Sequence, residues 1–363
     1  MRYLKDCFII IVLDTSILTD NLGDYIIMES INKEIKNILN KIMDSGNIFL
    51  FTYNIPTHSK LTAETKKLLS KGNVIMKIIG GTNLFRLNYL PPARYNLWKV
   101  SVIDLKYFSD STLLFGVGTT IDIWRNRLIE SISKYYSKTM WKRILIKSST
   151  VLHSVRDKET LKYLKDLGFE NVVNTGCPTL WDLTPQHTKI IPKDKSDNVI
   201  FTLTGHNPIS IKKSSSVLKI LADNYEKIYF WPQSENDYFV LKNLIAPKLQ
   251  SYIIKKINVL PPNLTAYDEF LKLHTHVDYI GFRLHAGIRA LQFKKRTTII
   301  AIDSRALSFK RDFNLPVIHA KDIDDCLNDI IDNNFDIKIN LSYSTIDKFK
   351  EMLKNYIMLK CES

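Results

Sequence analysis

The stretch that decides the fold reads Tyr279-Ile-Gly-Phe-Arg-Leu-His285-Ala-Gly-Ile-Arg289-Ala-Leu-Gln292. An apolar run from Val277 to Ile280 ends at Gly281, which predicts a strand closing in a turn. Leu284, Ile288 and Leu291 then recur at the spacing of a buried helix stripe. Arg283 and His285 fall in the first turn, off that stripe. A helix that starts at a strand's end presents unpaired backbone N–H groups and the positive end of a dipole. An Arg and a His placed there make a site for a phosphate or a carboxylate. The competing reading is an ordinary strand-to-helix joint whose Arg and His face water.

Outward from this joint, the same strand–turn–helix unit repeats. Phe8 to Leu13 reads as a buried parallel strand, followed by a loop with Asn21-Leu-Gly23-Asp24 and a helix to about Met43. Asp24 suits a helix cap or a catalytic carboxylate. Strands at Asn47–Phe51 and Val74–Ile79 follow, the second ending in Gly80-Gly81-Thr82-Asn83. Residues 84 to 110, with Pro91-Pro92 and Trp98, read as a long loop or lid. Leu113 to Phe115 leads into Gly116-Val-Gly118, and Ile121 to Lys138 is predicted helical. Arg143–Lys147 and Val151–Val155 are predicted as strands, the second ending in Arg156-Asp157. The polar stretch 183–197 reads as a linker, after which βα units resume at Asn198. Thr265-Ala-Tyr-Asp268 has the form of a capping box. Amphipathic Thr345–Leu359 closes the chain.

This alternation predicts two doubly wound α/β domains, residues 1–185 and 195–340, facing each other across a cleft. Residues 341–363 are expected to cross back as a helix onto the first domain, the GT-B-like arrangement.

Composition narrows the partners. The chain has 363 residues, and 51 Lys and Arg against 37 Asp and Glu give a net charge of +14, which favours anionic partners. No basic block with interleaved aromatics occurs, so nucleic acid is not expected. Four scattered cysteines without a CxxC pair argue against a zinc ribbon or a redox motif. The apolar run Cys7–Leu13 is too short for a secretory leader or a membrane span. A cytoplasmic protein is expected, with peripheral contact at the inner membrane surface as its only membrane association.

The ordered set Asn21-x-Gly23-Asp24, Gly80-Gly81, Gly116-Val-Gly118, Val155-Arg156-Asp157, Gly176-Cys-Pro178-Thr179 and Gly281-Phe-Arg283-Leu284-His285 resembles the polysaccharide pyruvyl transferase family. The resemblance runs from the first strand to about Arg305. It implies a GT-B-like fold and transfer of a pyruvyl group from phosphoenolpyruvate to two hydroxyls of a saccharide, giving a cyclic ketal. It also implies donor binding by Arg283, Leu284 and His285, with Arg156 carried over from the Val-Arg-Asp motif. His206 and Arg305, at strand ends, join the donor set. The acceptor set so implied is Asn21, Gly23, Asp24, Gly81, Thr82 and Asn83, and in the turn Gly80-Gly81-Thr82-Asn83 many members of the family carry a third glycine.

In the chemistry so implied, His285 donates a proton and Asp24 accepts one from a sugar hydroxyl. Phosphoenolpyruvate is a co-substrate, and no cofactor or metal is expected; the pair His274-x-His276 lacks a partner at ligand spacing. The acceptor is a saccharide, lipid-linked, nucleotide-activated or polymeric, in surface or extracellular polysaccharide synthesis. Two alternatives use the same architecture: a nucleotide-sugar glycosyltransferase and a non-catalytic polysaccharide-assembly protein. Gln233, Glu235 and Asp237 read as a solvated turn or as sugar contacts.

Overall fold

The computed structural model describes residues 7–44, 48–86, 102–108, 111–120, 127–145 and 151–362. Pro91-Pro92 and Trp98 of the expected lid lie outside the described residues. Two compact units divide the chain: Met1–Thr19, Ile27–Pro178 and Ser342–Ser363 form the first, and Asp20–Ile26 with Thr179–Leu341 form the second.

The first unit opens with β1 (Cys7–Asp14), α1 (Leu22–Met43, from Ile27 onward in this unit), β2 (Phe49–Pro56), α2 (Ala63–Leu69) and β3 (Val74–Gly80). Then come β4 (Phe85–Arg86), β5 (Thr112–Phe115), β6 (Thr119–Thr120), α3 (Arg127–Leu145), β7 (His153–Val155), α4 (Lys158–Asp166) and β8 (Val172–Asn174). Its main sheet is parallel with strand order β2-β1-β3-β5; β4 pairs with β6 and β7 with β8. Strands buried on both faces need no polar alternation, which is why β1 is a continuous aliphatic run. Residues 143–145, expected in a strand, form the last turn of α3 instead. Ile144 and Leu145 are buried there with Trp141, so the basic-apolar alternation serves a helix face.

The second unit contains α5 (Pro185–Lys189), β9 (Asn198–Thr202), α6 (Pro208–Asn224), β10 (Lys227–Phe230), α7 (Glu235–Val240) and α8 (Ser251–Lys256). It continues with β11 (Ile257–Val259), α9 (Leu264–Leu273), β12 (Asp278–Gly281), α10 (Leu284–Gln292), β13 (Thr297–Ala301), α11 (Ser304–Phe313), β14 (Val317–His319) and α12 (Ile323–Asp332). All six strands are parallel, in the order β11-β10-β9-β12-β13-β14. Much of the stretch read as a linker is ordered within this unit. Thr184 caps α5, and His187 Nε2 lies 2.8 Å from the Leu291 carbonyl oxygen. The cap of α9 is Asn263, which accepts from Ala266 N; Asp268, expected in the capping box, pairs with Arg289.

The last helix, α13 (Tyr343–Glu362), belongs to the first unit. Phe349 meets Phe115 edge-on at 5.0 Å, and Lys350 pairs with Glu34 at 2.6 Å. Two parallel-sheet α/β units with the final helix returned to the first are the GT-B class of fold. No helix among the described residues is long and apolar enough to cross a membrane.

Candidate active site

In the second sheet the chain moves from β9 outward to β10 and β11, then returns to the other side of β9 as β12. The gap between the carboxyl ends of β9 and β12 is therefore the topological switch point, where open α/β sheets hold ligands. Gly281 ends β12 there because the strands touch: a Cβ would lie 2.3 Å from Thr202 Oγ1 and 2.8 Å from Thr202 N. Gly287 lets α10 settle on the sheet, since a Cβ would lie 2.4 Å from Ile299 Cγ1.

Arg283 is the N-cap residue of α10, with extended backbone, and both it and His285 are buried, at 7% and 8% exposure. Neither faces bulk water as the ordinary-joint reading requires. The Tyr279 hydroxyl donates to the Arg283 carbonyl at 2.7 Å and lies 2.6 Å from Thr202 Oγ1, fixing the turn. Burial raises the pKa of that phenol, so it stays a donor. The guanidinium is committed at one edge. Nε donates to Leu203 O at 3.0 Å and Asp237 Oδ2 at 3.1 Å. Nη2 donates to Asp237 Oδ1 at 2.6 Å, Asp237 Oδ2 at 2.7 Å and Ser234 Oγ at 3.2 Å. Nη1 makes no such bond among the described residues.

Asp237 is wholly buried at 0% exposure and also accepts from Gly205 N at 2.8 Å and Gln233 N at 3.1 Å. One carboxylate thus ties the turn after β9, the turn after β10 and Arg283 into a rigid cradle. Arg283 is not a freely presented charge but half of a buried pair.

A cavity of about 120 Å³ lies at this edge, lined by Arg283, Leu284, His285, His206, Arg305 and Gln233, with Asn21 and Asp303 among the other walls. Leu284 is the first residue of α10, so its N–H belongs to the helix's open first turn. His206 has its pKa lowered, first by burial and then by the Arg283 charge, which leaves the imidazole neutral near pH 7. Arg305 is exposed and chelates Asp303, its Nη2 2.6 Å from Oδ2. Gln233 Oε1 is a buried acceptor without a partner among the described residues.

The residues expected on the acceptor side divide between the units. Asn21, Gly23 and Asp24 group with the second unit, contrary to their expected place in the first domain. The reason is local: Gln233 Nε2 donates to Asn21 Oδ1 at 2.8 Å, and Leu22 N donates to Gln233 O at 3.1 Å. A Cβ on Gly23 would lie 2.6 Å from Gln233 Nε2, so glycine is needed for this approach. Asp24 sits in the first turn of α1 and accepts from Asn21 Nδ2 at 3.2 Å; the helix begins before it, so it is not the cap.

Gly81, Thr82 and Asn83 remain in the first unit, at the carboxyl end of β3. Arg156 is also there, 2% exposed, packed on Gly118 and 3.5 Å from Asp157. Asp157 caps α4, accepting from Thr160 N. His274 stacks on Phe270 at 3.9 Å. Sequence reasoning missed the part played by Asp237 and Gln233; the strand-end position of their turn was the available signal.

The sequence matches the family model described as polysaccharide pyruvyl transferase over residues 21–304. No curated protein matches it. Among solved structures, the chain is similar to the UDP-N-acetylglucosamine 2-epimerase of Rickettsia bellii, with TM-score 0.54 and 14% identity over 98% of this chain and 97% of that one. It is also similar to the UDP-GlcNAc 2-epimerase of Methanocaldococcus jannaschii, solved with UDP-GlcNAc and UDP, with TM-score 0.51 and 12% identity over 97% of this chain and 99% of that one. At these identities the likeness is one of fold.

Proposed function

The chain belongs to the polysaccharide pyruvyl transferase family, and from that premise we propose that it moves a pyruvyl group from phosphoenolpyruvate onto two hydroxyls of a saccharide. The product is a cyclic ketal, and the cavity of the second unit is the donor site. The observation that carries this reading is the Arg283 cradle at the switch point. The guanidinium is oriented by Asp237 while Nη1 stays available, beside the open turn of α10 and two imidazoles. Size supports it too. About 120 Å³ is well below the roughly 300–1,000 Å³ of pockets for drug-sized ligands, so it suits a three-carbon phosphate ester better than a nucleotide sugar.

The atoms balance without a cofactor. The methylene carbon of the enol ester gains a proton, and the neighbouring carbon gains one C–O bond to a sugar oxygen. Its C–O bond to phosphate then breaks, and the second hydroxyl closes the ring. The two hydroxyl protons end on the new methyl group and on the departing phosphate. His285 is the proton donor to the methylene carbon, and Arg283 with the amide of Leu284 holds the phosphate as its charge grows. His206 and Arg305 complete the donor site. Asp24, oriented by Asn21, is the base for a sugar hydroxyl. Full turnover by Asp24→Asn would remove that assignment.

A binding contest tests the donor. Phosphoenolpyruvate should protect the chain from thermal unfolding, and Arg283→Ala should abolish the effect. Protection by UDP-sugars with none by phosphoenolpyruvate would favour a glycosyltransferase.

A further inference from the structure

Helix α3 carries an apolar face that the donor chemistry does not use. Its core-side stripe is Ser133, Ser137, Trp141 and Ile144, each 1% exposed or less. Leu128 is nine positions before Ser137, two and a half helical turns, and so stands on the opposite side. Ile132 and Tyr135 share that side at the i+4 and i+7 spacing. Leu128 is 69% exposed, Ile132 50% and Tyr135 75%, with Ile129 bordering them at 36%. Single exposed apolar side chains are ordinary, but a stripe of them on one face marks an interaction surface.

Charge says what this surface meets. The exposed face continues toward the end of the helix as Lys138, Lys142 and Arg143, all exposed, with exposed Lys134 on its flank. By sequence α3 holds five basic residues against one acidic residue, Glu130. Lys142 and Arg143 also answer the negative end of the helix dipole, but Lys138 is a turn too early for that. Protein interfaces are depleted in lysine, so Lys134, Lys138 and Lys142 argue against a protein partner. An apolar stripe edged by lysine and arginine is the pattern of a helix lying in a bilayer interface.

We propose that this face of α3 seats the first unit on an anionic lipid surface. Leu128, Ile132 and Tyr135 enter the boundary between headgroups and acyl chains, to a depth of about 5–10 Å. Lys138, Lys142 and Arg143 meet the lipid phosphates, each adding to the attraction. Tyrosine suits that boundary, with an apolar ring and a hydroxyl that stays wet. The net charge of +14 draws the chain toward such a surface from a distance. None of the donor residues takes part.

The test is co-sedimentation of the full chain with vesicles, either phosphatidylglycerol and phosphatidylcholine in equal parts or phosphatidylcholine alone. The chain should bind the mixed vesicles, and less well as salt rises. Lys138→Gln, Lys142→Gln and Arg143→Gln together should weaken binding roughly 100-fold, about fivefold for each charge. The same charge removed from exposed positions of the second unit, by Lys242→Gln, Lys248→Gln and Lys255→Gln, should leave binding within about fivefold. Ile132→Asp should weaken it about tenfold or more. Tyr135→Trp should keep binding, and its added emission should shift to the blue on the mixed vesicles. Circular dichroism should show every variant folded, because the substituted side chains are exposed. Equal binding to phosphatidylcholine alone, equal losses from the two triple variants, or no binding at all overturns the proposal. So does a concentration-dependent self-association that Ile132→Asp abolishes, with no vesicle binding. Phosphoenolpyruvate protection should be unchanged in every variant, so failure here leaves the donor reading standing.

Discussion

The Asp237 carboxylate accepts from both Nε and Nη2 of Arg283, 46 residues along the chain, at 3.1 and 2.6 Å with both groups buried. The pair fixes the plane of the guanidinium before any ligand arrives. Preorganisation of this kind spares the reorganisation that a mobile arginine would need.

Arg283→Lys keeps the charge but cannot reproduce the side-on geometry. One lost charge-assisted bond is worth about 1.5–3 kcal/mol, so turnover should fall roughly 10- to 100-fold at saturating acceptor. Asp237→Asn should do more, because it leaves a buried guanidinium without its counter-charge, a change that costs about 3–5 kcal/mol. Steady-state kinetics with phosphoenolpyruvate varied, together with denaturant unfolding, check both.

Gly23→Ala tests whether the Asn21 turn belongs to the donor site. Its Cβ would meet Gln233 Nε2 at 2.6 Å and Asn21 Oδ1 at 3.3 Å and force those side chains apart. Phosphoenolpyruvate KM should rise while stability falls by only about 1 kcal/mol, the worth of one hydrogen bond. An unchanged KM would place this turn outside the donor site.

Acid should weaken the first unit through His153. This imidazole is buried, its Nδ1 accepts from Leu114 N at 3.3 Å, and burial lowers its pKa to about 4. Below about pH 6.5 the unfolded chain takes up a proton that the folded chain refuses. Stability is therefore present above about pH 6.5 and is lost progressively as pH falls to about 4, by roughly 3 kcal/mol in all. Urea unfolding from pH 7 to 4 should show this slope, and His153→Asn should flatten it.

Asp278 is a structural counterpart to Asp237. It accepts from Tyr225 Oη at 2.9 Å and Arg296 Nη1 at 2.8 Å, while Arg296 Nη2 reaches the Ile330 carbonyl at 2.6 Å. Asp278→Ala should destabilise the second unit by about 3–5 kcal/mol. Calorimetry should show the loss, with phosphoenolpyruvate KM unchanged in the fraction that remains folded.

Much of this was legible in the sequence for a physical reason. Parallel strands covered on both faces read as apolar runs, so β1 and β9 stand out, as does β3 despite the buried Lys77 in its middle. Arg283 and His285 stand out because a strand and a glycine precede them and a stripe follows. The partner of Arg283 was not legible, since no local pattern links residues 46 apart. The same holds for Asn21, whose neighbour Gln233 is 212 residues away. Residues 143–145 misled because two buried positions flanked by basic ones suit a strand and a helix end equally.

The most direct test is mass spectrometry of a pool of lipid-linked and nucleotide-activated saccharides incubated with the chain and phosphoenolpyruvate. One saccharide should gain the mass of pyruvic acid less one water, with one phosphate released per ketal, and Arg283→Ala should abolish both. Consumption of a nucleotide sugar with no pyruvylated product would contradict the account.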